Sequence, residues 1–284
     1  MNYGSQSMVD TLQRVIVRKP NETFGNADPQ KWHYTSQPDL DKALIEHEAL
    51  VKILTDFGSE VIYHKEELSD HSDAIFTHDP VIISNDGAIL LSMGKPLREG
   101  EEEAIGKALE KAGVPIHYRL TGNARAEGGD LLWVDQDTLA VGLGFRTNAE
   151  GLRQLQEALP DVNVVPVHLP YFTGPEACLH LMSFISIVDH KKAVVYEELM
   201  PVPFWQDLKA RGFEFAQVPK DEFWTMGPNV LALAPGQCVM LEGNRQTQKN
   251  LVDLGCEVVT YVGKEISLKA EGGATCLTRP ILRG

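Results

Sequence analysis

The chain has 284 residues, enough for one large domain or two ordinary ones, and either would bury a sizeable core. With 40 acidic against 26 basic residues its formal charge is -14, which repels phosphate backbones and anionic lipid heads and argues against nucleic acid and membrane surfaces as partners. The opening MNYGSQSMVD lacks a leader pattern, no apolar run reaches the ~20 residues of a membrane span, and four scattered cysteines without a CxxC pair argue against a disulfide framework or structural zinc, so a soluble cytoplasmic protein is expected.

In chain order, residues 1–10 are expected as a flexible terminus, and TLQRVIVRKP follows as a strand. NETFGNADPQKWHYTSQP, residues 21–38, shows little periodicity; loops of this length are often lids, and Phe24 or Trp32 is the candidate to close over a site. LDKALIEHEALVKILTDFG then has helical spacing, with Ser36 to Asp39 resembling a capping box at its start, and SEVIYHK is a strand.

From there one unit recurs: two apolar runs around a short polar turn, then a helix, then a β-rich run. DPVIISNDGAILLSMG, GGDLLWVDQDTLAVGLG, LHLMSFISIVDHKKAVVY and GPNVLALAPGQCVMLEG start at Asp79, Gly128, Leu179 and Gly227, about fifty residues apart. The helices following them are read in REGEEEAIGKALEKAG, AEGLRQLQEALP, PVPFWQDLKARG and RQTQKNLVDLG. In the first of these, Ile105, Ala108, Leu109 and Ala112 share a face, with early glutamates and late Lys111 matching the helix dipole. The early helix and SEVIYHK lack a hairpin, which TCLTRPIL at one end and TLQRVIVRKP at the other would complete.

Five such units, the last closed by both termini, describe a ring, because neither end carries a polar capping repeat. The expected fold is one α/β domain over residues 1–284, a five-bladed β/α propeller with pseudo-fivefold repeats; an ordinary three-layer α/β sheet is the alternative. In a ring, residues at the same place in each unit converge. The hairpin starts carry Asp79 in FTHDP, Glu127 and Asp130 in AEGGD, His180 in CLHL, Asn229 in GPN and Cys276 in GGATC.

A thiolate is a strong nucleophile once its pKa is lowered, and an imidazole can protonate a leaving amine and then activate water. Carboxylates around such a thiol would repel a developing oxyanion but suit a planar cation, and guanidinium matches them in bidentate geometry. Attack by Cys276 on the guanidinium carbon would give a covalent thiouronium that water resolves to a ureido product. Cys178 and His180, two apart on a β pattern, face one way, but no second ligand pair at zinc-like spacing accompanies them, and no metal or cofactor is expected.

FTHDP, EGGD, HL and the near-terminal GGATC together resemble the guanidino-group-modifying superfamily of arginine deiminases, dimethylarginine dimethylaminohydrolases and amidinotransferases, across nearly the whole chain. The resemblance implies the five-bladed pentein propeller, with Cys276 as nucleophile, His180 as general acid and base, Glu127 as its acidic partner and Asp79 clasping the guanidinium. It further implies Asp73 on the substrate α-amino group and Arg98 and Arg146 on its α-carboxylate, hence a free guanidino amino acid as the small-molecule partner. Arginine deiminases usually carry FTRD and an arginine in the glycine-rich stretch before the cysteine; His78 and Glu271 stand at those places here. Without the helical insertion typical of arginine deiminases, the chain is closer to the dimethylarginine dimethylaminohydrolases. Amidino transfer, further hydrolysis beyond citrulline, and a non-catalytic propeller module are the competing readings.

Overall fold

The computed structural model describes residues 2–177 and 179–284. Strand β1 (Leu12–Val17) is followed by two single-turn helices, α1 (Glu22–Gly25) and α2 (Pro29–Trp32), the long helix α3 (Leu40–Phe57) and strand β2 (Glu60–Tyr63). Three complete units come next: β3 (Val81–Ser84), β4 (Gly87–Leu90), α4 (Glu101–Lys111) and β5 (Ile116–Arg119); β6 (Leu131–Asp135), β7 (Thr138–Leu143), α5 (Ala149–Ala158) and β8 (Asn163–His168); β9 (Ile185–Asp189), β10 (Lys192–Val195), α6 (Val202–Ala210) and β11 (Glu214–Gln217). After the short α7 (Lys220–Phe223) the last unit has β12 (Val230–Ala234), β13 (Gln237–Leu241), α8 (Arg245–Asp253) and β14 (Glu257–Tyr261), and β15 (Arg279–Arg283) ends the chain.

These strands make five separate three-stranded sheets. In each, an antiparallel pair is extended by a parallel third strand, and the helix between second and third strands supplies the crossover that parallel pairing requires. Residues 85–86, 136–137, 190–191 and 235–236 join the antiparallel pairs, two-residue loops that fit the twist of a tight hairpin. The fifth sheet repeats the pattern with strands from opposite ends of the chain: β15 lies antiparallel to β1, and β2 lies parallel to it.

Neighbouring sheets are stitched to one another, most of them near their hairpin starts. Ser92 bridges to Ala126, Leu181 N–H donates to Asp130 Oδ1 at 2.9 Å, and Val230 N–H donates to Ser186 Oγ at 3.2 Å. Arg283 Nη2 donates to Ala232 O at 2.8 Å, and His78 N–H donates to Cys276 O at 3.2 Å. The strands near these contacts are buried along most of their length, β3 and β4 completely.

The terminal segments are tied to this frame. Gly4 exchanges backbone hydrogen bonds with Ile281 and Arg283, both at 2.9 Å, and Val9 joins the core. Within residues 21–38, α1 and α2 replace the expected irregular loop; Phe24 is fully enclosed beside Tyr34. The α3 cap also differs from the sequence expectation: Asp39, not Ser36, is the N-cap, its side chain accepting from Lys42 N at 3.2 Å. No helix among the described residues is long and apolar enough to cross a membrane.

Candidate active site

Each hairpin start delivers one polar side chain to the same region because a short turn precedes the first strand of each sheet. Asp79 and Pro80 lead into β3, the turn Gly128–Asp130 into β6, the turn Leu181–Ser183 into β9, Asn229 into β12 and Cys276 toward β15. They surround a cavity of about 280 Å³ whose wall includes Asp73, Asp79, Arg98, Arg146, His180 and Cys276.

Glu127 lies behind His180, wholly buried, and His180 Nε2 and Glu127 Oε2 are 2.6 Å apart. The other Glu127 oxygen accepts from Gly94 N and Lys95 N at 2.9 and 3.0 Å, and Arg146 Nη1 lies 3.2 Å from Glu127 Oε2. Burial alone would raise this carboxyl; the hydrogen bond and charge of His180 and the charge of Arg146 outweigh it and hold the group below the usual carboxylate range. An ionised Glu127 can orient the imidazole and stabilise its protonated form. The ring needs the glycine beside it, since a Cβ on Gly129 would stand 2.4 Å from His180 Nδ1.

Asp130 fixes the approach to His180. It accepts from Thr147 Oγ1 at 2.6 Å and from Leu181 N at 2.9 Å, and burial pushes its carboxyl up to about 6. Cys276 is partly exposed; its Sγ accepts from Asn229 Nδ2 at 3.2 Å, while Asn229 Oδ1 accepts from Thr275 N at 3.0 Å. Burial of the sulfur, reinforced by the Asp79 charge, pushes the thiol up to about 11, against the opposing pull of His180 and the Asn229 hydrogen bond. The resting sulfur is therefore a thiol at neutral pH, and a cation placed against it would favour the thiolate.

The charges farther along the cavity are arranged in pairs that sequence spacing does not show. Asp79 Oδ2 accepts from Arg98 Nη1 at 2.6 Å, and its Oδ1 from Gly129 N at 3.1 Å, leaving room for further donors on a carboxylate that offers about four lone-pair sites. Arg98 also donates to Glu101 through Nε and Nη2, at 3.0 and 2.7 Å, and to Phe76 O at 3.0 Å. Asp73 accepts from Tyr34 OH at 2.8 Å and Lys95 Nζ at 2.6 Å, and Lys95 stands 5.0 Å from the centre of the Trp32 ring. Trp32 lines the cavity; Phe24, the other candidate for closure, belongs to the core.

Lys95, Tyr34 and Glu101 were not singled out in the sequence. Only Glu101 had a local signal, its i,i+3 spacing from Arg98 at the start of α4. His78 turns Nδ1–H to Thr278 O at 3.0 Å, and burial, with Arg279 nearby, pushes it down to about 3, so it stays neutral. Cys178 lies outside the described residues, and among those described no group of three or more metal-ligating side chains gathers.

A family model described as "N,N dimethylarginine dimethylhydrolase, eukaryotic" matches residues 18–283. The uncharacterized protein YkgA of Bacillus subtilis is 31% identical over 283 residues, covering 96% of this chain and 93% of that protein. The N(G),N(G)-dimethylarginine dimethylaminohydrolase of Pseudomonas aeruginosa is 25% identical over 269 residues, with 94% and 98% covered. The solved structure of a cysteine-to-serine mutant of a Pseudomonas aeruginosa DDAH, complexed with citrulline, superposes with a TM-score of 0.78 at 24% identity, covering 95% of this chain and 99% of the other.

Proposed function

From the premise that the chain belongs to the N,N dimethylarginine dimethylhydrolase family, whose named members are hydrolases of amidine C–N bonds, we propose that it hydrolyses the guanidino group of a free methylated arginine through Cys276. The observation that carries this reading is convergence: Asp79, His180 and Cys276 face one cavity from three hairpin starts, with Glu127 hydrogen-bonded behind His180.

The guanidinium lies against Asp79, using the carboxylate lone pairs that Arg98 and Gly129 leave open. Its charge lowers the Cys276 thiol, whose proton passes to His180, and the sulfur bonds to the guanidinium carbon. His180, its charge compensated by Glu127, returns the proton to the methylated nitrogen as the C–N bond breaks and methylamine or dimethylamine leaves. Water then gives a proton to His180 and adds to the thiouronium carbon; the C–S bond breaks as His180 returns that proton to Cys276 Sγ, and citrulline departs after releasing its hydroxyl proton to solvent.

A methylated substrate is favoured by the apolar residues that line the same cavity, Phe172, Leu179, Met182, Phe223 and Met226. Methyl groups gain contact there, whereas the N–H donors of unmethylated arginine would lose water without gaining acceptors. Asp73, Arg98 and Arg146, the residues proposed for the amino-acid end, are paired in the free protein with Lys95, Asp79 and Glu127, so the two arginines rest beside the groups assigned to the guanidinium and to His180. We read the five sheets as one closed β/α propeller domain, supported by the stitches between successive sheets, and residues 21–38 as a cover carrying Trp32 at the cavity rim.

The test is to quench the enzyme in acid during turnover of NG-monomethyl-L-arginine and locate the mass increment by peptide analysis. The expected increment is on the Cys276 peptide, and Cys276→Ser shows neither adduct nor product. Full turnover by Cys276→Ser would overturn the reading.

A further inference from the structure

We propose that Cys238 and Cys256 form a redox modification site, a dithiol that a small peroxide converts to a reversible disulfide. The inference is independent of the hydrolase reading, since neither residue lines the central cavity.

Cys238 is the second residue of β13, and Cys256 immediately precedes β14, the strand that lies parallel to β13. Cys238 is in register with Val258, so Cys256, two residues earlier, returns to the same face. There the two thiols meet: they share a side-chain hydrogen bond and belong to one core cluster. All of α8 lies between them in the chain, so it is the crossover that brings them together. Both are free thiols in the structure, 2% and 4% exposed.

Their surroundings give them different roles. The hydrogen bond with Cys238 pulls the Cys256 thiol below its usual value, and the Lys192 ammonium adds to this against burial. The same bond, together with burial, pushes Cys238 up. Lys192 is ion-paired with Asp189 at 3.1 Å and lies along the turn that carries Cys256, its Nζ 3.7 Å from where a Cβ on Gly255 would stand. The nucleophile differs, since burial pushes Cys276 up to about 11. Cys256 is therefore the thiol that a peroxide attacks first, and Cys238 is the resolving thiol beside it. Gly255 and Glu257, on either side of Cys256, are exposed, so the pair lies just beneath the surface. Burial of the sulfurs favours a small neutral oxidant over a bulky disulfide.

The Cys256 thiolate attacks one oxygen of hydrogen peroxide: an S–O bond forms, the O–O bond breaks, and hydroxide leaves and takes up the proton that Cys256 lost. The Cys238 sulfur then attacks the sulfenic sulfur; an S–S bond forms, the S–O bond breaks, and the departing hydroxide leaves as water with the Cys238 proton. The sulfurs are oxidised and the peroxide is reduced to water. The new bond ties β13 to β14 around α8, in the unit whose Asn229 holds Cys276.

The test treats the purified protein with a slight excess of hydrogen peroxide, caps the remaining thiols with N-ethylmaleimide and maps the peptides by mass spectrometry. The expected product joins the Cys238 and Cys256 peptides, is released by dithiothreitol, and belongs to protein whose Tm has risen by about 5 °C or more. Cys238→Ala should give no cross-link and carry Cys256 as a sulfenic acid that dimedone traps. A cross-link through Cys178 or Cys276 would overturn the inference. So would oxidation of Cys276 while Cys238 and Cys256 are both still capped by N-ethylmaleimide.

Discussion

The thiol of Cys276 sits in an electrostatic position that makes its reactivity conditional. Burial and Asp79 push it up to about 11, so the free enzyme holds roughly one thiolate in ten thousand at pH 7. Alkylation of Cys276 by iodoacetamide, followed by mass spectrometry of its peptide, should accelerate about tenfold per pH unit from pH 7 to 10. A plateau reached by pH 8 would contradict this assignment. The roles of sequence-adjacent residues separate in the same region: Asp79 faces the cavity with Arg98, while His78 spends its Nδ1 proton on Thr278 O and remains neutral. The identity of these side chains was legible in the sequence. Their partners were not, because Lys95 reaches Asp73 and Arg98 reaches Asp79 across loops whose paths no periodicity encodes.

At the scale of elements, the hairpin units were readable because apolar runs flank short polar turns, and the helices because their apolar spacing repeats. The start of α3 was misread for a physical reason. A capping box from Ser36 would have used Asp39 as the returning acid; instead Asp39 is the cap, and its own N–H donates to Glu265, 226 residues away, at 2.8 Å. The reciprocal half of the motif thus comes from a distant helical turn, Lys264–Leu268. Glu46 extends the same join, accepting from Lys264, Glu265 and Ile266 N–H groups at 3.1, 2.7 and 3.1 Å. Asp39→Ala should cost about 1 kcal/mol, read as a lower urea midpoint with unchanged slope. No shift in midpoint would show that the distant carboxylate alone secures the helix start.

For the whole molecule, the sheet that contains both ends of the chain explains how Cys276 is held so near the C-terminus. β15 pairs with β1, Gly284 N–H reaches Thr11 O at 3.0 Å, and His78 N–H reaches Cys276 O, so the last residues are bound into the frame rather than trailing from it. The five-unit pattern was legible because each unit repeats the same strand and helix order; the apolar wall through Met182 and Phe223 was not, because residues distant in sequence build it. Activity is then a property of the assembled units and is measured as such. Purified protein supplied separately with NG,NG-dimethyl-L-arginine, NG-monomethyl-L-arginine and L-arginine should release citrulline in equal amount with dimethylamine or methylamine from the first two. On L-arginine kcat/KM should be about ten- to a hundredfold lower. Ammonia from L-arginine with the methylated compounds untouched, or ornithine and urea from any of them, would contradict the account.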